Sequence, residues 1–108
     1  DNGVFRPDGF RFQGTAAGLD VARQIGALLA GIGAGQVTAG DGEADVGPII
    51  REGVPGFALN VDDSTYFWYH HTEADMMTVI NRDDFRRCIA TMAVMAYVLA
   101  DMPETLRR

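Results

Sequence analysis

Two stretches of the chain carry apolar residues at intervals of three and four, the spacing that lines them up on one side of a helix. In the first, Leu19, Ala22, Ile25, Leu28, Leu29 and Ile32 form the stripe, while Arg23 and Gln24 fall off it. Thr15 stands where an N-cap belongs. This helix is expected to run to about Gly31 and to stop in Gly31-Ile32-Gly33-Ala34-Gly35, where glycine takes left-handed cap geometry. In the second stretch Asn81 is a good N-cap, and Asp83 and Asp84 put negative charge at the helix N-terminus. Phe85, Cys88, Ile89, Met92, Met95, Ala96, Leu99 and Met102 then form one stripe that ends at Pro103. A Met-rich stripe suits either a partner groove or a face laid on a sheet, and its periodicity favours the sheet. Glu104 to Arg108 reads as a solvated tail.

Between the helices the pattern is shorter. Gln36-Val37-Thr38-Ala39 is a strand candidate, and Phe57-Ala58-Leu59-Asn60-Val61 reads as a buried strand bounded by turn residues. Pro48-Ile49-Ile50-Arg51-Glu52 predicts a single helical turn with proline near its start. The opening Asp1 to Phe10 is rich in Gly and Pro and predicts a loop anchored by Phe5 and Phe10, with a strand expected before it. The chain is thus read as α/β, with two long helices and at least two strands. Two strands make a thin sheet, and a chain this short buries only about 60–65% of its extended surface. Further strands are therefore expected elsewhere in a parent protein, or association through the sheet edges as a homo-oligomer.

Composition narrows the function. At 108 residues the chain is one domain or a piece of one, and its 47% apolar content is that of a folded protein. A formal charge of −6 with no basic stripe argues against nucleic acid and anionic membranes as partners. No apolar run approaches the length of a membrane span, and none of the residues present is expected to act as a signal peptide. The chain opens on Asp1 and not on Met, which leaves an upstream targeting segment open. Cys88 is the single cysteine, so neither a disulfide framework nor a cysteine zinc cage is available. The glycines at 31–35 end a helix and do not follow a strand, unlike a dinucleotide fingerprint. Those at 40–47 lack the Gly-Lys-Ser/Thr of a phosphate loop.

Candidate chemistry concentrates in Tyr66-Phe67-Trp68-Tyr69-His70-His71-Thr72-Glu73-Ala74-Asp75, which holds both histidines and the only tryptophan. Imidazole is the commonest metal ligand, and four aromatics in a row call for packing that would hold it still. Asp75 is placed to accept the second ring proton of a ligating histidine or to tie down the turn. From spacing alone the favoured reading of the pair is a polar strand end beside an aromatic core, since two histidines without further ligands are weak evidence for a metal site. Its position beyond the carboxyl end of the 57–61 strand, where open α/β sheets bind ligands, raises the functional reading.

The residues resemble a known family. Asp1-x-Gly-x-Phe-x-Pro-x-Gly, Gly42-x-Ala-Asp-Val46, Gly53-Val-Pro-Gly56, Tyr66-Phe67-x-x-His70-His71-Thr72-x-x-Asp75 and Met92-Ala93-x-x-Ala96-Tyr97-x-x-Ala100-Asp101 occur in one order. That order resembles the C-terminal third of the co-catalytic di-zinc exopeptidases, nearest to the plasma glutamate carboxypeptidase type, and it covers the whole chain. The resemblance implies that residues 1–108 are the C-terminal segment of an α/β/α sandwich. It implies two zinc ions in the complete parent, one of them ligated by Asp1 and His71. His70 is then a neighbour of the site, Asp75 a supporting residue, and Asp45 and Tyr66 lie near bound peptide. Relatives commonly carry Asp-Thr at the end of the His-Thr turn, whereas here Asp75 is followed by Met76.

In that family the other zinc ligands and the general-base Glu lie upstream, so no catalytic residue falls in this segment. Two protein ligands make a poor zinc site. The expectation is a metallopeptidase parent, often exported in such families, and a 108-residue chain that is itself inactive and needs the rest of the domain. Amino-, carboxy- and dipeptidase preference is set outside this segment. Two alternatives stand beside it. One is a non-catalytic dimerisation or interaction module on a peptidase scaffold. The other is a small α/β domain whose Asp41, Glu43 and Asp45 hold a cation such as calcium, although the EF-hand pattern is missing.

Overall fold

The computed structural model describes residues 2–42 and 44–106. Its centre is a strand whose first half the sequence pattern read as loop: β1 (Pro7–Gln13) lies in the middle of a three-stranded sheet of order β2-β1-β3. β1 runs parallel to β2 (Gln36–Ala39) and antiparallel to β3 (Gly56–Val61). The Pro and Gly that suggested turns have strand roles instead. Pro7 opens the strand, where a missing N–H costs least. Pro7 pairs with Val61 and Gly9 with Asn60, so Asp8 is the extra residue of a bulge. Gly9 takes φ +143°, and any side chain there would run into the carbonyl of Gln36 on β2. The strand candidates at 36–39 and 57–61 are both present, so the sheet has three strands where two were legible.

Phe10 and Phe12, two residues apart, point to one face and are both buried. Phe10 pairs with Val37 on one side and Leu59 on the other, and Phe12 pairs with Phe57, whose ring lies 5.0 Å away. α1 (Ala16–Ala27) covers this face, capped by the Thr15 side chain, which accepts from Gly18 N–H at 3.0 Å. The helix ends at Ala27, a turn earlier than predicted, and a 3₁₀ turn at Ala30–Ile32 follows, closed by left-handed Gly33. The predicted stripe is shifted as a result. Gly18, Ala22, Ile25, Gly26 and Leu29 are buried, while Leu28 is 67% exposed and Ile32 is also outside. The physical reason is a close approach: a side chain at Gly26 would meet Val37 Cγ2 at 2.7 Å, so the helix rests on its small residues.

α2 (Gly47–Arg51) is the single turn expected around Pro48. α4 (Arg82–Asp101) begins as predicted, with Asn81 Oδ1 accepting from Asp83 and Asp84 N–H at 2.9 and 3.1 Å. It packs on β1 beside α1 and completes a core of Phe10, Phe12, Ala22, Ile25, Leu29, Ala34, Val37 and Met95. Only part of its predicted stripe is used. Cys88, Thr91 and Met95 are buried, whereas Phe85, Ile89, Met92 and Ala96 are exposed. Thr91 joins the buried face because its hydroxyl donates to Arg87 O at 2.7 Å and leaves a methyl for the core. Among the described residues no helix is long and apolar enough to cross a membrane.

Candidate functional site

The sheet topology sets where the histidines lie. β3 is antiparallel to β1, so its carboxyl end sits at the edge that holds the amino ends of β1 and β2. The parallel-sheet rule that raised the odds on this segment therefore does not apply to it. What the arrangement does bring together is the start of the chain and the histidine segment. Asp62 N–H donates to Arg6 O at 2.8 Å, and Asp62 Oδ1 accepts from Ser64 N–H at 2.9 Å. The bonds from Ser64 hold the Asp62 carboxyl below the usual range, with a smaller contribution from the Arg6 charge.

A short helix α3 (Tyr66–Tyr69) follows, not the strand end expected as the plain reading. Tyr69 stacks on Phe5 with ring centroids 6.4 Å apart, so Phe5 is the anchor the sequence suggested. The four aromatics do not all pack: Phe67 is 82% and Trp68 68% exposed. The histidines are held in another way. His70 takes φ −53°, ψ 120°, His71 takes φ +55°, and Thr72 N–H donates to Tyr69 O at 3.0 Å. These values describe a type II turn with His71 at the position that normally takes glycine. A left-handed backbone costs a residue with a Cβ roughly 1–2 kcal/mol. Thr72 reinforces the turn, its hydroxyl donating to Tyr69 O at 2.7 Å and accepting from Ala74 N–H at 3.2 Å.

The three rings of this turn are stacked. Tyr66 lies on His70 at 4.5 Å between centroids, and His70 on His71 at 3.7 Å, with interplanar angles of 27° and 22°. The Tyr66 hydroxyl is 3.5 Å from His70 Nε2. His70 and Tyr66 are half-buried, while His71 is the exposed outer member. A cavity of about 390 Å³ adjoins the stack, lined among others by Gly3, Phe5, Tyr66, His70, Asp75 and Met77. Tyr66, His70 and Asp75 thus meet at one cavity, and His71 is not among the residues that line it. Asp75 N–H donates to Thr72 O at 3.1 Å, which places this carboxylate at the end of the same loop.

Several expectations fall elsewhere. Asp1 lies outside the described residues, as does Glu43. Asp45 is exposed in the turn before α2 and does not line the cavity beside the histidines. Among the described residues no three His, Cys, Asp or Glu side chains gather closely enough to hold a metal ion. An exposed imidazole on a turn has donor chemistry that zinc accepts, but a single such donor does not make a metal site. Sequence reasoning missed Arg11. It lines a second, smaller cavity of about 170 Å³ with Asn2, Asn60, Asp63, Tyr66 and Phe67, and Tyr66 is common to both cavities. The alternation Phe10-Arg11-Phe12 was the available signal, hidden because the loop expected up to Phe10 cut across it.

Comparison with known proteins bears on the family and the fold. The model of peptidase family M28 matches residues 10–96. Carboxypeptidase Q from Bos taurus is 38% identical over 109 residues, and the proteins of that name from Mus musculus and Homo sapiens are each 35% identical over 108. Each match covers 100% of this chain but 23% of the relative, so the chain spans about a quarter of their length. A crystal structure of a peptidase M28 precursor from Shewanella amazonensis superposes with a TM-score of 0.80 at 27% identity, over 100% of this chain and 25% of that one. The chain belongs to peptidase family M28.

Proposed function

We propose that residues 1–108 are the C-terminal segment of the catalytic domain of an exported zinc-dependent exopeptidase. Asp1 and His71 hold one zinc ion in this reading, Asp75 supports the histidine loop, and Tyr66 and Asp45 face bound peptide. The observation that carries it is the shared sheet edge. Asn2 and Gly3, the neighbours of Asp1, line cavities together with Tyr66, and Gly3 also with His70. This nearness of the chain start to the histidine segment supports the reading that Asp1 and His71 share a cation. When bound, zinc in such a site acidifies water and polarises the scissile carbonyl. The chain's own contribution in this reading is the imidazole of His71 on its turn and a hollow lined by its neighbour His70, by Tyr66 and by the Asp75 carboxylate. The general base and the other ligands lie in the remainder of the parent, which is the partner this segment needs.

The chain alone is accordingly inactive. The test uses the parent protein and the 108-residue chain side by side on dipeptides and aminoacyl nitroanilides. We expect hydrolysis by the parent, abolished by a chelator and restored by zinc, with His71→Ala lowering it at least about a hundredfold, beyond what loss of a supporting residue costs. The isolated chain should give no turnover above blank. Chelator-insensitive hydrolysis by the parent, or turnover by the chain alone, overturns the reading.

A further inference from the structure

We infer that His70 is a positioning residue, which with Tyr66 forms a ring stack that locks the neighbouring His71 in its left-handed turn and aims its imidazole outward. The inference rests on the reading of His71 as a zinc ligand and adds what makes that ligand rigid. Adjacent side chains ordinarily point apart, by about 100° around a helix and to opposite faces of a strand. Parallel rings 3.7 Å apart on residues 70 and 71 therefore need a backbone that reverses between them, and the +55° φ of His71 supplies it. Tyr66 and His70 are four residues apart across α3, the spacing at which helical side chains meet, and this seats the stack on the helix.

The order of exposure agrees. Tyr66 and His70 are half-buried and line the cavity, whereas His71 is exposed and absent from its lining. His70 faces inward as the support and His71 outward as the ligand. An isolated strained turn would relax to φ below zero, since a histidine gains nothing from the left-handed region by itself. The flat face of His70 favours the strained form by keeping the second ring in contact. A flat apolar ring in place of His70 should do the same, because the stack needs a face and not a proton.

The test measures the zinc dissociation constant of the apo parent protein by competition with a chromophoric chelator, with circular dichroism as the check on folding. His70→Ala should weaken zinc binding about 10- to 100-fold, the range typical for groups that orient a metal ligand, and excess zinc should restore kcat. His70→Phe should bind zinc close to the wild-type value. Wild-type affinity in folded His70→Ala overturns the inference, and so does a His70→Phe protein that binds as weakly as His70→Ala. Should His70→Ala not fold, His70→Phe decides alone: zinc binding weakened about tenfold or more in that variant overturns the inference. His71→Ala is the control: zinc affinity unchanged in that variant overturns the ligand assignment itself, which separates the two failures.

Discussion

At the scale of single residues, histidine 71 and cysteine 88 show how far a residue's role depends on its surroundings. His71 was singled out as a ligand by type and motif, and the fold places it in a turn position that suits glycine, held by stacking. Nothing in the sequence around 66–75 announces a type II turn, because its usual marker is absent. Cys88 read as a lone buried thiol, and it is buried, its Sγ–H donating to Phe5 O at 3.1 Å. Burial pushes its pKa up, and the charge of Asp84 adds to the shift. The folded thiol therefore holds its proton more tightly than the unfolded one. Its contribution to stability is complete below the ordinary thiol value of about 8.5 and is lost as pH rises through the higher folded value. Alkylation by iodoacetamide should accordingly show a more alkaline midpoint in the folded chain than in urea. Identical pH profiles in the two states would contradict this.

At the scale of elements, the helices were legible and their faces only partly so. Both caps, Thr15 and Asn81, act as the sequence indicated. Periodicity identifies which residues are apolar, but it cannot weigh a small residue against a large one. In α1 the contact runs through Gly18, Ala22 and Gly26, so the large Leu28 is turned out. In α4 the single broad stripe divides into two seams. Cys88, Thr91 and Met95 face the core, and Phe85, Ile89, Met92 and Ala96, spaced by four, three and four, face solvent. This division makes a prediction for the isolated chain. Met95→Ala should cost about 2–5 kcal/mol, as core truncations do, whereas Ile89→Ala should stay within about 0.5 kcal/mol. Urea denaturation of the two variants checks it, and equal losses would show that both seams are buried.

At the scale of the molecule, the sheet ends at β2 on one side and β3 on the other, and an apolar seam of α4 is uncovered. Unpaired strand edges and an exposed apolar helix face both invite association. The isolated chain should therefore show concentration-dependent self-association in sedimentation velocity, suppressed in the longer parent proposed above. A monodisperse monomer at all concentrations would speak against it. The sequence by itself determined the two helices with their caps, the strands at 36–39 and 57–61, the short turn at Pro48 and the histidine segment, because these depend on local spacing and on residue type. Tertiary structure alone decided that Pro7–Gln13 is the central strand, since only pairing with Gln36–Ala39 and Gly56–Val61 gives a Pro- and Gly-bearing segment somewhere to place its backbone hydrogen bonds. It also decided the antiparallel sense of β3, which carries the histidines to the sheet edge where the chain begins. Strand direction and neighbour choice are long-range matters, fixed by which faces bury together and not by any stretch of sequence read alone.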